Sequence, residues 1–256
     1  MTKEKKLKFI AIFLLVISFN LLVLSAIYSN LEKEVVNYRY SDVAEYDDVK
    51  EAINFINSFP IQFNITNEYF SNFDNLEQQT REMIIMSYVI KNKYRTYSCE
   101  GTGTICIKKE DLQDESLLEK FNTKTEFISD NIKIYIDDYG VYTVTTSKEL
   151  DYYKVSLDDD NKNYRKYSKF SHYKEKDGVY SFYFYEGYYK GNCKYGEKLE
   201  LYNFMDGKVI YSGNCNAYNE FTIAPDEDIT KLQLYKYELK KDVNGKYYLY
   251  GYNPVN

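Results

Sequence analysis

Few residues in this chain carry distinctive chemistry, and most of those that do are cysteines. Cys99, Cys106, Cys193 and Cys215 all follow a long apolar segment, and none of them forms a Cys-x-x-Cys pair. Thiols placed this way in an exported chain oxidise to disulfides. Cys99 and Cys106 flank the Gly-containing loop Glu100-Gly101-Thr102-Gly103-Thr104-Ile105, which is short enough to be clamped. Cys193 and Cys215 each end a Gly-Asn-Cys triplet. The reading is therefore Cys99 with Cys106 and Cys193 with Cys215, in preference to the two other pairings. Loop-closure entropy assigns roughly 2.5 and 3.4 kcal/mol to such loops of about 8 and 23 residues. The rival, a four-thiolate zinc site, normally uses close ligand pairs that these spacings lack.

The single histidine, His172, lies among Tyr167, Ser168, Phe170, Ser171 and Tyr173. A lone imidazole can act as a base, but there is no Gly-x-Ser-x-Gly nucleophile motif, so His172 reads as a strand histidine. Asp158-Asp159-Asp160-Asn161-Lys162-Asn163 clusters the oxygen ligands that hard cations prefer. Counted from Asp159, however, the sixth position is Tyr164 instead of Gly and the twelfth is Phe170 instead of Glu. It reads as a polar loop. With one histidine, sites built on two or more imidazoles are excluded, and no phosphate-cradling or dinucleotide fingerprint occurs. No catalytic residue, metal ligand or cofactor is assigned. The 33 basic against 39 acidic residues give a net charge of -6, without the basic excess of a nucleic-acid binder.

The elements that position these residues begin with an apolar run. Lys3, Lys5, Lys6 and Lys8 precede an uncharged stretch from Phe9 that includes Leu14, Leu15, Asn20 and Leu24 and reaches Tyr28. At about 1.5 Å per residue, residues 9–28 span roughly the 30 Å of a bilayer core. A cleaved signal has a shorter core and a small-x-small end, whereas Leu24-Ser25-Ala26 matches that end poorly and Tyr28 suits an interfacial anchor. The expectation is an uncleaved signal-anchor helix, with a cleaved signal as the alternative. Asn20 could hydrogen-bond to a partner helix, but it reads more simply as a tolerated polar residue. Lysines before the span and Glu32-Lys33-Glu34 after it place residues 1–8 in the cytoplasm and the rest outside the plasma membrane. Without the first 28 residues the chain keeps 29 positive and 38 negative charges, a net charge of -9. Such a domain is repelled by anionic surfaces unless a local basic patch intervenes.

Residues 29–46 read as a stalk and connector, and residues 47–256 as one exported α+β domain. Val49, Ala52, Ile53, Ile56 and Phe59 recur at helical spacing behind Asp47 and Asp48, and Pro60 stops the pattern. Asn64-Ile65-Thr66 is a formal glycosylation acceptor of little weight. A second helix is predicted over 75–91 and a third over 109–121. Met83 and Met86 in the second read as core, although a Met-bearing stripe can also form an adaptable groove. From Phe127 the period changes to two. Strands are predicted over 132–136, 141–146, 179–189, 198–204, 208–211, 232–240 and 246–252, with hairpin turns at Asp206-Gly207 and Asn244-Gly245. Ser156 to Lys169 and Pro225 to Asp228 read as solvated loops. Helices first and strands afterwards imply helices packed on a curved antiparallel sheet. The 31 tyrosines suit half-buried strands with their hydroxyls in water, the alternative being an aromatic ligand surface.

Several segments carry a family likeness: Leu76 to Lys91, Ile107 to Leu112, Asp137 to Tyr142, Tyr173 to Tyr180 and Tyr237 to Tyr250. In their order this chain resembles uncharacterised membrane-anchored proteins of low-GC Gram-positive bacteria whose exported part looks like a cystatin or NTF2-like α+β domain. The resemblance implies that fold and transfers no catalytic residue. The expected function is that of a non-enzymatic, single-pass membrane protein. It would present a binding or scaffolding domain to an envelope protein or a cell-wall ligand, with no nucleic acid involved. The alternatives are a cell-envelope hydrolase acting through paired carboxylates and a subunit of an export or conjugation assembly.

Overall fold

The computed structural model describes residues 38–39, 47–60, 69–99, 104–136, 140–146, 151–157, 164–190, 194–217 and 226–255. The apolar run Phe9–Tyr28, the acceptor at Asn64 and the acidic run 158–163 lie outside the described residues. Among the described residues no helix is long and apolar enough to cross a membrane.

The architecture is α+β with antiparallel sheets. Helix α1 (Asp47–Asn57) buries Val49, Ala52 and Ile56, the face given by its spacing. Helix α2 (Gln78–Lys91) buries Thr80, Glu82 and every residue from Ile84 to Ile90. Its neighbours therefore surround it on more than one stripe, and Met86 is core, with Met83 packed against it. The predicted third helix is broken in two, α3 (Lys109–Leu112) and α4 (Glu115–Leu118). Asp114 interrupts it: its carboxylate accepts from the Ser116 and Leu117 amides and starts a new helix.

Strands occur earlier than the change of period suggested. β2 (Thr96–Ser98) and β3 (Thr104–Lys108) come before α3. They join β4 (Ile132–Ile136), β5 (Gly140–Thr146) and β6 (Tyr152–Leu157) in a five-stranded sheet of order β2-β3-β6-β5-β4. The larger sheet has seven strands. Its path is β1 (Tyr38–Arg39), β7 (Tyr164–Lys176), β8 (Val179–Lys190), β11 (Gln233–Lys241) and β12 (Tyr247–Val255), with β9 (Lys198–Asn203) and β10 (Val209–Asn214) attached to β8. The expected single curved sheet is thus two sheets. Much of the stretch read as a solvated loop is strand, because Lys166, Ser168 and Phe170 share one face of β7 despite the charges between them. Another stretch read as a loop contains a short helix, α5 (Asp226–Ile229), that buries Ile229.

Both turn assignments hold. Gly207 and Gly245 have φ of 64° and 80°, and the Asp242 carboxylate accepts from the Asn244 and Lys246 amides at 2.8 Å each. Helical segments bridge the sheets: α2 packs on β4, and the 3-10 turn Glu119–Phe121 packs on β12. One core results, with residues from both sheets and the helices between them.

A bulge at Tyr250 corrects the alternation in β12. Leu239 opposes Leu249 while Glu238 opposes Gly251, and the extra residue turns Tyr252 onto the core face against Tyr237. Tyr153, Tyr235, Tyr237 and Tyr252 are consequently fully buried, deeper than half-buried strand tyrosines. On its second edge β8 pairs with β11 as far as Glu186 and then with β9 at Gly187 and Tyr188. A Cβ at Gly187 would lie 2.5 Å from the Tyr202 carbonyl oxygen and 2.8 Å from Leu232 Cδ2. Gly187→Ala is therefore expected to lower unfolding stability by about 1–3 kcal/mol through displacement of β9. An unchanged urea midpoint would contradict that close approach.

Candidate binding groove and the buried polar centre

Two places gather chemistry-bearing side chains, and they differ in access. The first is inside the larger sheet. Phe182, Phe184 and Glu186 follow one another on the core face of β8, so an acid occupies the next apolar phase, and its exposure is 0%. Lys166 on β7 lies 2.8 Å from Glu186 Oε1 with its own side chain 8% exposed. Tyr237 on β11 donates to both carboxylate oxygens at 2.9 and 3.0 Å. Ser168 Oγ donates to Oε1 at 3.2 Å, and the ammonium also donates to the Tyr237 oxygen at 2.9 Å. The pair is satisfied on every side and closed to solvent, the arrangement a buried charge requires. It acts as a polar pin across three strands. Sequence reading missed it; the available signal was the acid in phase with Phe182 and Phe184.

The second place is open. β2 and β3 pair so that Tyr97 faces Cys106, and Cys106 faces Lys154 of β6. The Cys99–Cys106 disulfide, with Cα atoms 5.7 Å apart, closes this corner. Tyr97, Ser98, Cys99, Cys106, Lys108, Tyr152 and Lys154 line a surface groove of about 600 Å³. The Lys108 ammonium sits 5.7 Å from the centre of the Tyr97 ring and 3.3 Å from Glu110, with both of those side chains more than half exposed. The hydrogen bond to Glu110, and then its charge, raise the Lys108 pKa. Tyr97 donates to Asp111 Oδ2 at 3.0 Å, which raises its own pKa.

A charged post holds the groove's edge strand. Arg95, at φ 46°, reaches Asp111 at 3.3 Å and Asp114 at 2.6 Å, and Tyr94 donates to Asp114 at 2.9 Å. The Ser116 hydroxyl first, then Tyr94 and Arg95, hold the Asp114 carboxyl below the usual range. Behind the second sheet, Glu82 accepts from the Ile128 and Ser129 amides at 3.1 and 2.9 Å. The nearby Tyr153 donates to the Phe127 carbonyl at 2.8 Å. Burial, followed by the charges of Glu82 and Asp130, pushes the Tyr153 phenol up to about 12.

Of the residues singled out from sequence, Cys99 and Cys106 are brought together as expected. Cys215 is also disulfide-bonded. Its amide donates to the Glu197 carbonyl and its carbonyl accepts from Gly196, just before β9. Cys193 lies outside the described residues, as do Phe9, Leu14, Leu15, Asn20, Leu24 and Tyr28. His172 is a strand residue stacked on Tyr183 at 4.3 Å. Burial, then Lys174, lowers its pKa. Among the described residues no cluster of three or more His, Cys, Asp or Glu could hold a metal.

Glu186→Gln or Lys166→Met alone is expected to cost about 3–5 kcal/mol in denaturant unfolding, because each strands the other charge in the core. The double variant K166M/E186L should recover most of that loss; equal losses in single and double variants would contradict the pairing. For Asp114, the folded pKa is depressed, so its stabilisation is present above the unfolded value and is lost as pH falls through the folded one. Asp114→Asn should flatten the acid limb of the stability profile, and an unaltered profile would refute the post's electrostatic role. No protein-family model matches the chain, nor does any curated protein or solved structure.

Proposed function

We propose that this is a single-pass membrane protein that holds residues 47–256 outside the cytoplasm as a binding domain, with the groove beside the Cys99–Cys106 disulfide as its ligand site. The observation carrying this reading is the disulfide itself, with Cys215 bonded as well. Such bonds persist in oxidising compartments, and the lysine-flanked apolar run Phe9–Tyr28 supplies an anchor with the matching orientation. Pairing of Cys215 with Cys193 belongs to the same reading. So does the cystatin or NTF2-like likeness, which helical segments packed against antiparallel strands favour.

The groove suits binding. Its walls are aromatic and cationic, its corner is fixed by a covalent bond, and Arg95 ties its edge strand to the start of α4. A pre-organised surface loses little entropy when a ligand docks.

The test uses intact cells that make the full chain and a membrane-impermeant thiol reagent. Labelling of Cys99 and Cys106 should appear only after an impermeant reductant is added from outside. Labelling without reductant, or only after the cells are permeabilised, would overturn the reading.

A further inference from the structure

The Cys99–Cys106 disulfide lies on the outer side of the smaller sheet, away from the core. Ile107 is fully buried and Ile105 packs against the core, so alternation turns Thr104, Cys106 and Lys108 to the opposite face of β3. β2 is the last strand at that end of the sheet and joins β3 through the pairs Thr96–Ile107, Tyr97–Cys106 and Ser98–Ile105. Cys99 follows β2, its amide donating to the Thr104 carbonyl at 3.3 Å. Both cysteines line the open groove, and Cys99 is the more exposed of the two.

The bond is therefore open to attack, and the fold does not hang on it. Its two cysteines are separated by 7 positions, and a short loop contributes least to stability through its closure. β2 keeps other ties, from Tyr97 to Asp111 and from Arg95, just before it, to Asp111 and Asp114. The bond made by Cys215 differs: that residue is 3% exposed and packs with Leu199 and Tyr189. Cys106 also stands in one cross-strand row between Tyr97 and Lys154, with Cβ atoms about 5 Å apart. Lys108 is engaged by Glu110, whereas Lys154 extends an exposed side chain over this row. An ammonium group beside a cysteine favours its thiolate, and a stabilised thiolate leaves a disulfide faster.

We infer that Cys99–Cys106 is an exchangeable disulfide, reduced by the dithiol of a partner protein, and that its redox state sets the order of the groove. A thiolate of the dithiol attacks Cys99 Sγ and forms a mixed disulfide between the two proteins. The bond to Cys106 breaks, and Cys106 leaves with the electron pair as a thiolate beside Lys154. The partner's second thiolate then attacks the partner's own sulfur in the mixed disulfide and displaces the Cys99 thiolate. The partner is oxidised by two electrons to its disulfide, and the two protons its thiols gave up end on Cys99 and Cys106. Reduction removes the covalent tie between the ends of β2 and β3, so the pre-organised corner of the groove loosens while the core face of the sheet is untouched. Only this effect on binding rests on the reading of the groove as a ligand site; the exchange itself does not.

The test treats the purified full chain, in detergent micelles, with dithiothreitol, and alkylates and locates the new thiols by mass spectrometry. Cys99 and Cys106 should be freed about tenfold or more faster than Cys215. A dithiol oxidoreductase whose second cysteine is replaced by serine should be trapped on Cys99. Lys154→Gln should slow the reduction by about two- to threefold, a deficit that shrinks as salt rises, while Lys154→Arg keeps the parent rate. In the reduced chain, amide hydrogen exchange over 96–108 should accelerate by about tenfold, with 132–146 unchanged. Release of Cys215 first or at the same rate, trapping on Cys106, or unaltered exchange over 96–108 would overturn the inference. Such a failure leaves the binding-domain reading standing, because labelling of intact cells decides that separately.

Discussion

An aromatic seam holds the two sheets to one core, and the rest of the structure depends on it. Tyr252 on β12 meets Phe70 at 6.5 Å, Phe70 meets Phe73 at 5.6 Å, Phe73 meets Phe121 at 5.0 Å, and Phe121 meets Tyr88 of α2 at 5.5 Å. From Tyr88 the contact passes through α2 to β4. Each ring buries a large apolar area, and tilted or edge contacts add to that burial. Neither sheet covers its own inner face. The seam supplies the missing partner to both, and so fixes where the outer face of the smaller sheet lies.

The two sheets use polar chemistry in opposite ways. In the larger sheet Lys166, Ser168, Glu186 and Tyr237 satisfy one another inside the core. A hydrophobic replacement can equal such a network in stability, and its distinctive effect is on register, because a slip of one residue would strand a charge. In the smaller sheet the polar groups are outside, above an apolar inner face. Tyr97, Lys108, Tyr152 and Lys154 there line the groove instead of the core. The disulfide and the Arg95 post fix the edge at which that surface begins, and Glu82 fixes the segment behind it by accepting from two successive amides.

Legibility from sequence followed the range of the interactions. The helix at Val49–Phe59, the β4–β5 pair and the Asn244-Gly245 turn depend on residues a few positions apart, and periodicity or turn chemistry revealed them. β7 was misread because charge density in 156–169 outweighed alternation, although Lys166, Ser168 and Phe170 lie in one phase. β3 is held by pairing with β6, about fifty residues later, and the three-residue β2 by pairing with β3 in turn, so neither shows in a short window. Of the groove, the disulfide was readable. Lys108 and Lys154 were not, because only strand register makes neighbours of them.

By itself the sequence determined the local facts: an apolar run with lysines on one side, four cysteines of a kind that oxidises, few groups fit for catalysis, helices before most strands, and glycines where turns need positive φ. These are set by steric limits and side-chain chemistry within a short window. The tertiary structure alone decided that the strands divide into two sheets, that an acid in a run of aromatics meets a lysine from a neighbouring strand, and that Lys108 and Lys154 meet beside the Cys99–Cys106 disulfide. Each of those outcomes depends on which distant strands pair and in what register, a choice made by the burial of the whole apolar surface at once.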